Sequence, residues 1–240
     1  MAITTEFVTL TVDDGSSMRA YVARPEGAPR AGLIVFQEIF GINSHIRDVT
    51  ERFAREGYLA IAPELFHRSG PGFESGYTDI MPGVEHMKQM TDAGLAADIR
   101  AAFDWLQGAT GAKKISTGAI GFCMGGRTAT LAAMTVPLAC GISYYGGGIA
   151  PSPFNPGMLE RLKEVQAPML FYWGGLDGMI KPEHVKMVGD GMRAANKPFS
   201  SVEFSDADHG FFCNERGSYN ANAATESWPL TLAYLKNYAG

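Results

Sequence analysis

The sequence predicts an α/β fold, with a mostly parallel central sheet and helices on both faces. Two observations carry that expectation. From residue 33 onward, short apolar runs alternate with longer stretches of helical period. The chain has 240 residues, 46% hydrophobic and 19% charged, the size and composition of one domain with a sizeable core, so 1–240 reads as a single domain. Taken in order, 7–12 and 18–24 alternate apolar and polar residues about Asp13-Asp14-Gly15-Ser16, the pattern of a hairpin at an antiparallel edge. A buried strand at 33–36, a helix at 45–56, a second buried strand at 58–62 and a long helix at 91–107 follow. The alternation continues with strand 115–122, helix 127–134, strand 141–145, helix 158–164, strand 169–173, helix 183–195, strand 201–204 and a closing helix at 221–237. Crossover units of this kind place active-site loops at the carboxyl ends of the strands. Segment 70–83, rich in glycine and proline, is expected as a surface loop rather than a lid.

Composition excludes several function classes. A net charge of −5 with no basic stripe leaves nothing to neutralise phosphates, so no nucleic-acid partner is expected. No run of 18 or more apolar residues offers a membrane span, and the start Met1-Ala2-Ile3-Thr4-Thr5-Glu6 lacks a leader pattern; a cytoplasmic protein, monomeric or weakly homo-oligomeric, is expected. Cys123, Cys140 and Cys213 are odd in number and widely spaced, which encodes neither a disulfide framework nor a structural metal, and no cofactor is called for.

The chemistry centres on Gly121-Phe122-Cys123-Met124-Gly125-Gly126. A cysteine in the middle of a glycine-x-nucleophile-x-glycine turn, between a strand and a helix, is a nucleophile elbow carrying sulfur in place of oxygen. The bland reading is a punctuated turn with an inert cysteine. A nucleophilic thiol needs a base and a group to orient it. Strand 169–173 runs into Gly174-Gly175-Leu176-Asp177-Gly178, and strand 201–204 into Ser205-Asp206-Ala207-Asp208-His209-Gly210-Phe211. Nucleophile, acid and histidine in this order at three strand ends follow the α/β-hydrolase pattern. Asp177 alone could be a turn aspartate, and His209 a loop or core histidine. Asp206 and Asp208 are rival acids, but so close to His209 in sequence that a correctly aimed pairing is awkward, and they are read as loop residues.

On Gln37-Glu38-Ile39-Phe40-Gly41, the cysteine elbow, Gly174-Gly175-Leu176-Asp177 and Asp208-His209-Gly210-Phe211, the chain resembles the dienelactone hydrolases (carboxymethylenebutenolidases) of the α/β-hydrolase superfamily over nearly its whole length. The resemblance implies Cys123 as nucleophile, His209 as general base and acid, Asp177 as the carboxylate orienting the imidazole, and an oxyanion hole from the backbone amides of Met124 and Ile39. It also implies that Glu38 partners the resting thiol and acts in its deprotonation once substrate displaces it.

The sequence departs from that family where substrate charge is read. Family members hold a substrate carboxylate with arginines, whereas 69–98 contains no arginine and one lysine, Lys88, and no cation follows His209 before Arg216. Arg68 and Arg216 remain as replacements. The expectation is an apolar pocket of Phe40, Tyr144, Tyr145, Phe211 and Phe212 for a neutral ester or lactone, the alternative being that these rings are core. Organophosphate triesters are an alternative electrophile for the same triad. A redox-sensing, non-catalytic cysteine is an alternative of another class, disfavoured because sensing needs neither Asp177 nor His209.

Overall fold

The structure is a computed structural model that describes residues 1–111, 114–152 and 155–240. Eight strands form one sheet in the order β1-β2-β4-β3-β5-β6-β7-β8. They are β1 (Ile3–Thr11), β2 (Ser17–Pro25), β3 (Gly32–Phe36), β4 (Leu59–Pro63), β5 (Thr117–Phe122), β6 (Cys140–Tyr144), β7 (Met169–Gly174) and β8 (Phe199–Phe204). The expected hairpin is β1–β2, antiparallel to each other, with β2 antiparallel to β4; every other pairing is parallel. The central strands β3 to β7 are buried along their length, which is why they read as continuous apolar runs, while β8 is half exposed.

Among the described residues six α-helices accompany them: α1 (Ser44–Arg55), α2 (Met81–Met87), α3 (Asp92–Ala109), α4 (Met124–Thr135), α5 (Pro182–Ala194) and, after the last strand, α6 (Ala221–Tyr238). Asn43 caps α1 by accepting from the Ile46 N–H at 3.3 Å, and Ile46, Val49 and Phe53 form its buried stripe. Thr91 caps α3 by accepting from Gly94 N–H at 3.1 Å, and Leu95, Ile99, Ala102 and Leu106 turn inward. Helices α1 and α6 meet through Phe53 and Trp228, with ring centroids 4.7 Å apart, and α3 packs along α4, so the sheet is covered on both faces.

Three expectations change. The helix after the elbow begins at Met124 rather than 127, because the turn has no slack residues. Leu159–Glu164 is a 3-10 turn rather than an α-helix. Segment 70–83 runs into the unexpected helix α2 and is docked rather than free. The Gly41–Glu74 bridge and the Ser75 N–H to Phe40 carbonyl bond, 3.0 Å, fasten it to the loop after β3, and a β-carbon on Gly83 would collide with the Ile39 carbonyl.

Register decides where the chemistry lies. Phe36 is level with Gly121, Phe122 with Tyr144, Tyr144 with Tyr172, and Gly174 with Phe204. The residues that follow β3, β5, β6, β7 and β8 therefore emerge along one edge of the sheet.

Candidate active site

Cys123 stands between β5 and α4 with φ 57° and ψ −122°, a region non-glycine residues rarely occupy. The glycines around it make that turn possible. A β-carbon on Gly121 would strike the Gly125 carbonyl, one on Gly125 the carbonyls of Phe36 and Gln37, and one on Gly126 the Ser143 hydroxyl at 2.7 Å. The Cys123 N–H donates to the Tyr144 carbonyl at 3.1 Å, and its own carbonyl accepts from Gly126 N–H at 2.9 Å, which fixes the strained residue from both sides. The backbone N–H groups of Met124, the first residue of α4, and of Ile39 donate to no protein acceptor among the described residues. Cys140 and Cys213 are fully buried, whereas Cys123 is half-buried.

Asp177 and His209 meet as their order implies. The Nδ1 of His209 lies 2.7 Å from Asp177 Oδ2, and Asp177 Oδ1 accepts from the N–H groups of Met179 at 2.8 Å and Ile180 at 2.9 Å. Close packing of the two loops requires glycines here too. Side chains at Gly174 and Gly175 would run into the backbone of Ala207 and Ser205. Burial pushes the Asp177 carboxyl up, but His209 and the two amides outweigh it and hold it below its ordinary value. Asp208 accepts from His209 N–H at 2.6 Å and Asp206 from Asn220 at 3.3 Å, so both rivals are loop residues. The far nitrogen of His209, Nε2, is buried with no nitrogen or oxygen partner among the described residues, and the ring interacts with Cys123. Burial disfavours the imidazolium, yet interaction with Cys123 and with Asp177 pushes the ring up to about 10.

Glu38, just past β3, is 1% exposed and pairs through Oε1 with Arg216 Nη1 at 2.9 Å; its Oε2 has no partner among the described residues. Burial pushes the carboxyl above its ordinary value, and Arg216 and His209 pull it down without prevailing. Arg216 is therefore at the site, contrary to the expectation of a pocket without a cation. Successive turns return the chain to this point: Cys213 N–H to Gly210, then Arg216 N–H to Cys213. Gly210, at φ +83°, leaves the room the guanidinium occupies. The guanidinium carbon lies 5.5 Å from the Phe40 ring centre and 5.9 Å from that of Tyr77. Tyr77, held by Asn43 at 2.9 Å, brings the docked segment to the site and was not anticipated. The signal for Arg216 was present in the turn-forming glycine after His209, but the loop path was not.

The other residues expected at a substrate pocket fall in three different places. Arg68 is engaged by Asp98, at 2.8 Å and 2.9 Å, and by Asp14, which fixes it on α3 and the β1–β2 turn. Tyr144, Phe211 and Phe212 are 0–3% exposed and pack with Phe122 and Tyr172 as core; Tyr144 and Phe122 centroids lie 5.0 Å apart, Phe122 and Phe212 5.5 Å. Phe40 and Tyr145 are equally buried but border the site, Phe40 on Arg216 and Tyr145 edge-on to the His209 ring at 5.1 Å. Among the described residues no cluster of His, Cys, Asp and Glu could hold a metal ion, and no helix is long and apolar enough to cross a membrane.

Residues 18–239 match the model of the dienelactone hydrolase family. The chain is 37% identical over 232 residues to a Synechocystis sp. protein named "Putative carboxymethylenebutenolidase", covering 94% of each. The solved structure of "Putative Dienelactone Hydrolase" from Klebsiella pneumoniae superposes with a TM-score of 0.89 at 33% identity, covering 99% of this chain and 100% of that one. A dienelactone hydrolase-like promiscuous phosphotriesterase from metagenomic libraries shares the fold, with a TM-score of 0.85 at 24% identity over 100% of both chains. With an eight-stranded α/β-hydrolase sheet and matches of this extent, the chain belongs to the dienelactone hydrolase family.

Proposed function

We propose that this hydrolase cleaves a carboxylic ester or lactone through an acyl-thioester on Cys123. The observation that carries the reading is a cysteine in strained elbow geometry beside an imidazole whose other nitrogen is bound to a buried carboxylate. Once a substrate group takes its place on Arg216, Glu38 accepts the proton of the Cys123 thiol, and it returns that proton to the thiolate when the acyl group has left. Sulfur then bonds to the carbonyl carbon while the carbonyl electron pair moves to oxygen, held by the free N–H groups of Ile39 and Met124. Collapse breaks the C–O bond, and imidazolium His209 gives its proton to the leaving alkoxide. Water, deprotonated by His209, attacks the thioester, and the thiolate leaves with its electron pair. Asp177 holds the imidazole in the working tautomer throughout. No cofactor or metal enters these steps. The setting is cytoplasmic, where three free thiols persist, and the enzyme acts as a single 1–240 domain, monomeric or weakly self-associating.

Arg216 revises the substrate charge. It is the cation an anionic acyl substituent can reach, in exchange for Glu38. A matched set of anionic lactone, neutral methyl ester and phosphotriester tests this. The anionic lactone should win in kcat/KM over the methyl ester by more than about tenfold, or about 1.4 kcal/mol, and Arg216→Met should erase that preference. A neutral preference unchanged by Arg216→Met contradicts the charge reading, and a phosphotriester preferred to both contradicts acyl transfer as the main activity.

A further inference from the structure

Among the described residues, Glu38 Oε2, His209 Nε2 and the hydroxyl of Tyr145 are buried at this site with no nitrogen or oxygen partner. The first two belong to groups that act in the proposed reaction; the third does not. Tyr145 follows β6 directly, is fully buried, and has φ +38°, a left-handed value for a residue with a β-carbon. Its backbone is tied down, the N–H donating to the Tyr172 carbonyl at 2.8 Å, and its ring is wedged edge-on between His209 at 5.1 Å and Phe211 at 5.2 Å. A phenol this deep ordinarily finds an acceptor, and leaving one unpaired is costly. After burial itself, the charge felt most strongly by Tyr145 is that of Glu38, followed by Cys213, Arg216 and Cys123. The ring contact with His209 places Tyr145 beside the working groups, and Glu38, the charge of greatest effect on it, also has an orphaned oxygen.

We infer that Tyr145 is a positioning residue, whose hydroxyl donates a hydrogen bond to the Glu38 carboxylate when that carboxylate leaves Arg216. At rest, Glu38 uses one oxygen on Arg216 and the other on nothing. Once a substrate occupies Arg216, an unaided Glu38 would be a buried carboxylate with no donor, and would take up a proton instead of removing one from Cys123. Tyr145 supplies the missing donor and keeps Glu38 ionised beside the sulfur. The left-handed φ is the local strain by which the chain aims a side chain from a strand end into this position. The inference rests on the proposed role of Glu38 in deprotonating Cys123.

Single-turnover acylation by mono-p-nitrophenyl succinate, followed across pH in wild type, Tyr145→Phe, Glu38→Gln and the double variant, tests it. In Tyr145→Phe the acidic limb should move up by about one pH unit, with acylation about tenfold slower below it, and an unchanged thermal midpoint. The double variant should be no slower than Glu38→Gln alone. Replacement of Tyr145 by 3-fluorotyrosine, a stronger donor of nearly the same size, should move the limb down. An unmoved limb, or losses that multiply in the double variant while Glu38→Gln is slow, overturns the role of Tyr145 alone. Glu38→Gln acylating as fast as wild type overturns the reading of Glu38 and this inference with it.

Discussion

His209 concentrates the pH dependence of the site in one ring. Its imidazolium is favoured up to about 10 although burial works against it, because electrostatic contact with Cys123 on one side and Asp177 on the other outweighs burial. Removing a negative neighbour from a cation lowers its pKa. In Cys123→Ala the imidazole should therefore titrate well below the wild-type midpoint near 10, read by nitrogen NMR of labelled histidine. A midpoint left near 10 would mean that the sulfur is not the cause. Turnover in the wild type should fall as pH rises through the same midpoint, since the proton for the leaving alkoxide is lost there. Cys123, Asp177 and His209 were legible at this scale because each lies in the loop just past a strand, after Phe122, Gly174 and Phe204. Arg216 was undervalued because contact with Glu38 depends on a chain of turns, and turns report where a chain bends but not where it arrives. Among the aromatics, Phe40 and Tyr145 border the site while Tyr144, Phe211 and Phe212 pack in the core, a division that sequence does not show because an aromatic lining a pocket and one filling a core have the same signature.

Among the elements, the β5–elbow–α4 unit has the least room. Gly125 lies against the carbonyls of Phe36 and Gln37, so it sets the gap between the β3 end, which carries Glu38, and the start of α4. Gly125→Ala should cost about 1–3 kcal/mol by overpacking, seen as a lower urea midpoint, and should slow acylation by displacing Cys123. Gly147, with open space around it, is the control, and Gly147→Ala should stay within about 0.5 kcal/mol of wild type. Equal urea midpoints for the two variants would contradict the packing account. Glycine spacing made this unit readable in advance. Helix α2 was not readable, since Met81–Met87 buries only Gly83 and so lacks an apolar stripe to announce it. Its position comes from tertiary docking of the preceding segment on the loop after β3.

For the molecule as a whole, the level register of β3, β5, β6, β7 and β8 matters most, because it turns residues distant in sequence into neighbours along one sheet edge. Strand–helix alternation was enough to anticipate the parallel sheet, and the nucleophile–acid–histidine order was enough to anticipate which ends converge. The pairing of Glu38 with Arg216, with two polar oxygens unpaired among the described residues, lies beyond any pattern of periodicity, since it depends on distances of a few ångström set by packing. The central claim is that this convergence makes Cys123, and neither of the buried thiols, the acyl carrier. Intact and peptide-level mass spectrometry of an acid-quenched reaction with mono-p-nitrophenyl succinate measures it directly. The account predicts one succinyl adduct on the peptide containing Cys123, absent in a folded Cys123→Ala variant that no longer turns over. An adduct on Cys213 or Cys140, or turnover that persists in Cys123→Ala, would contradict it.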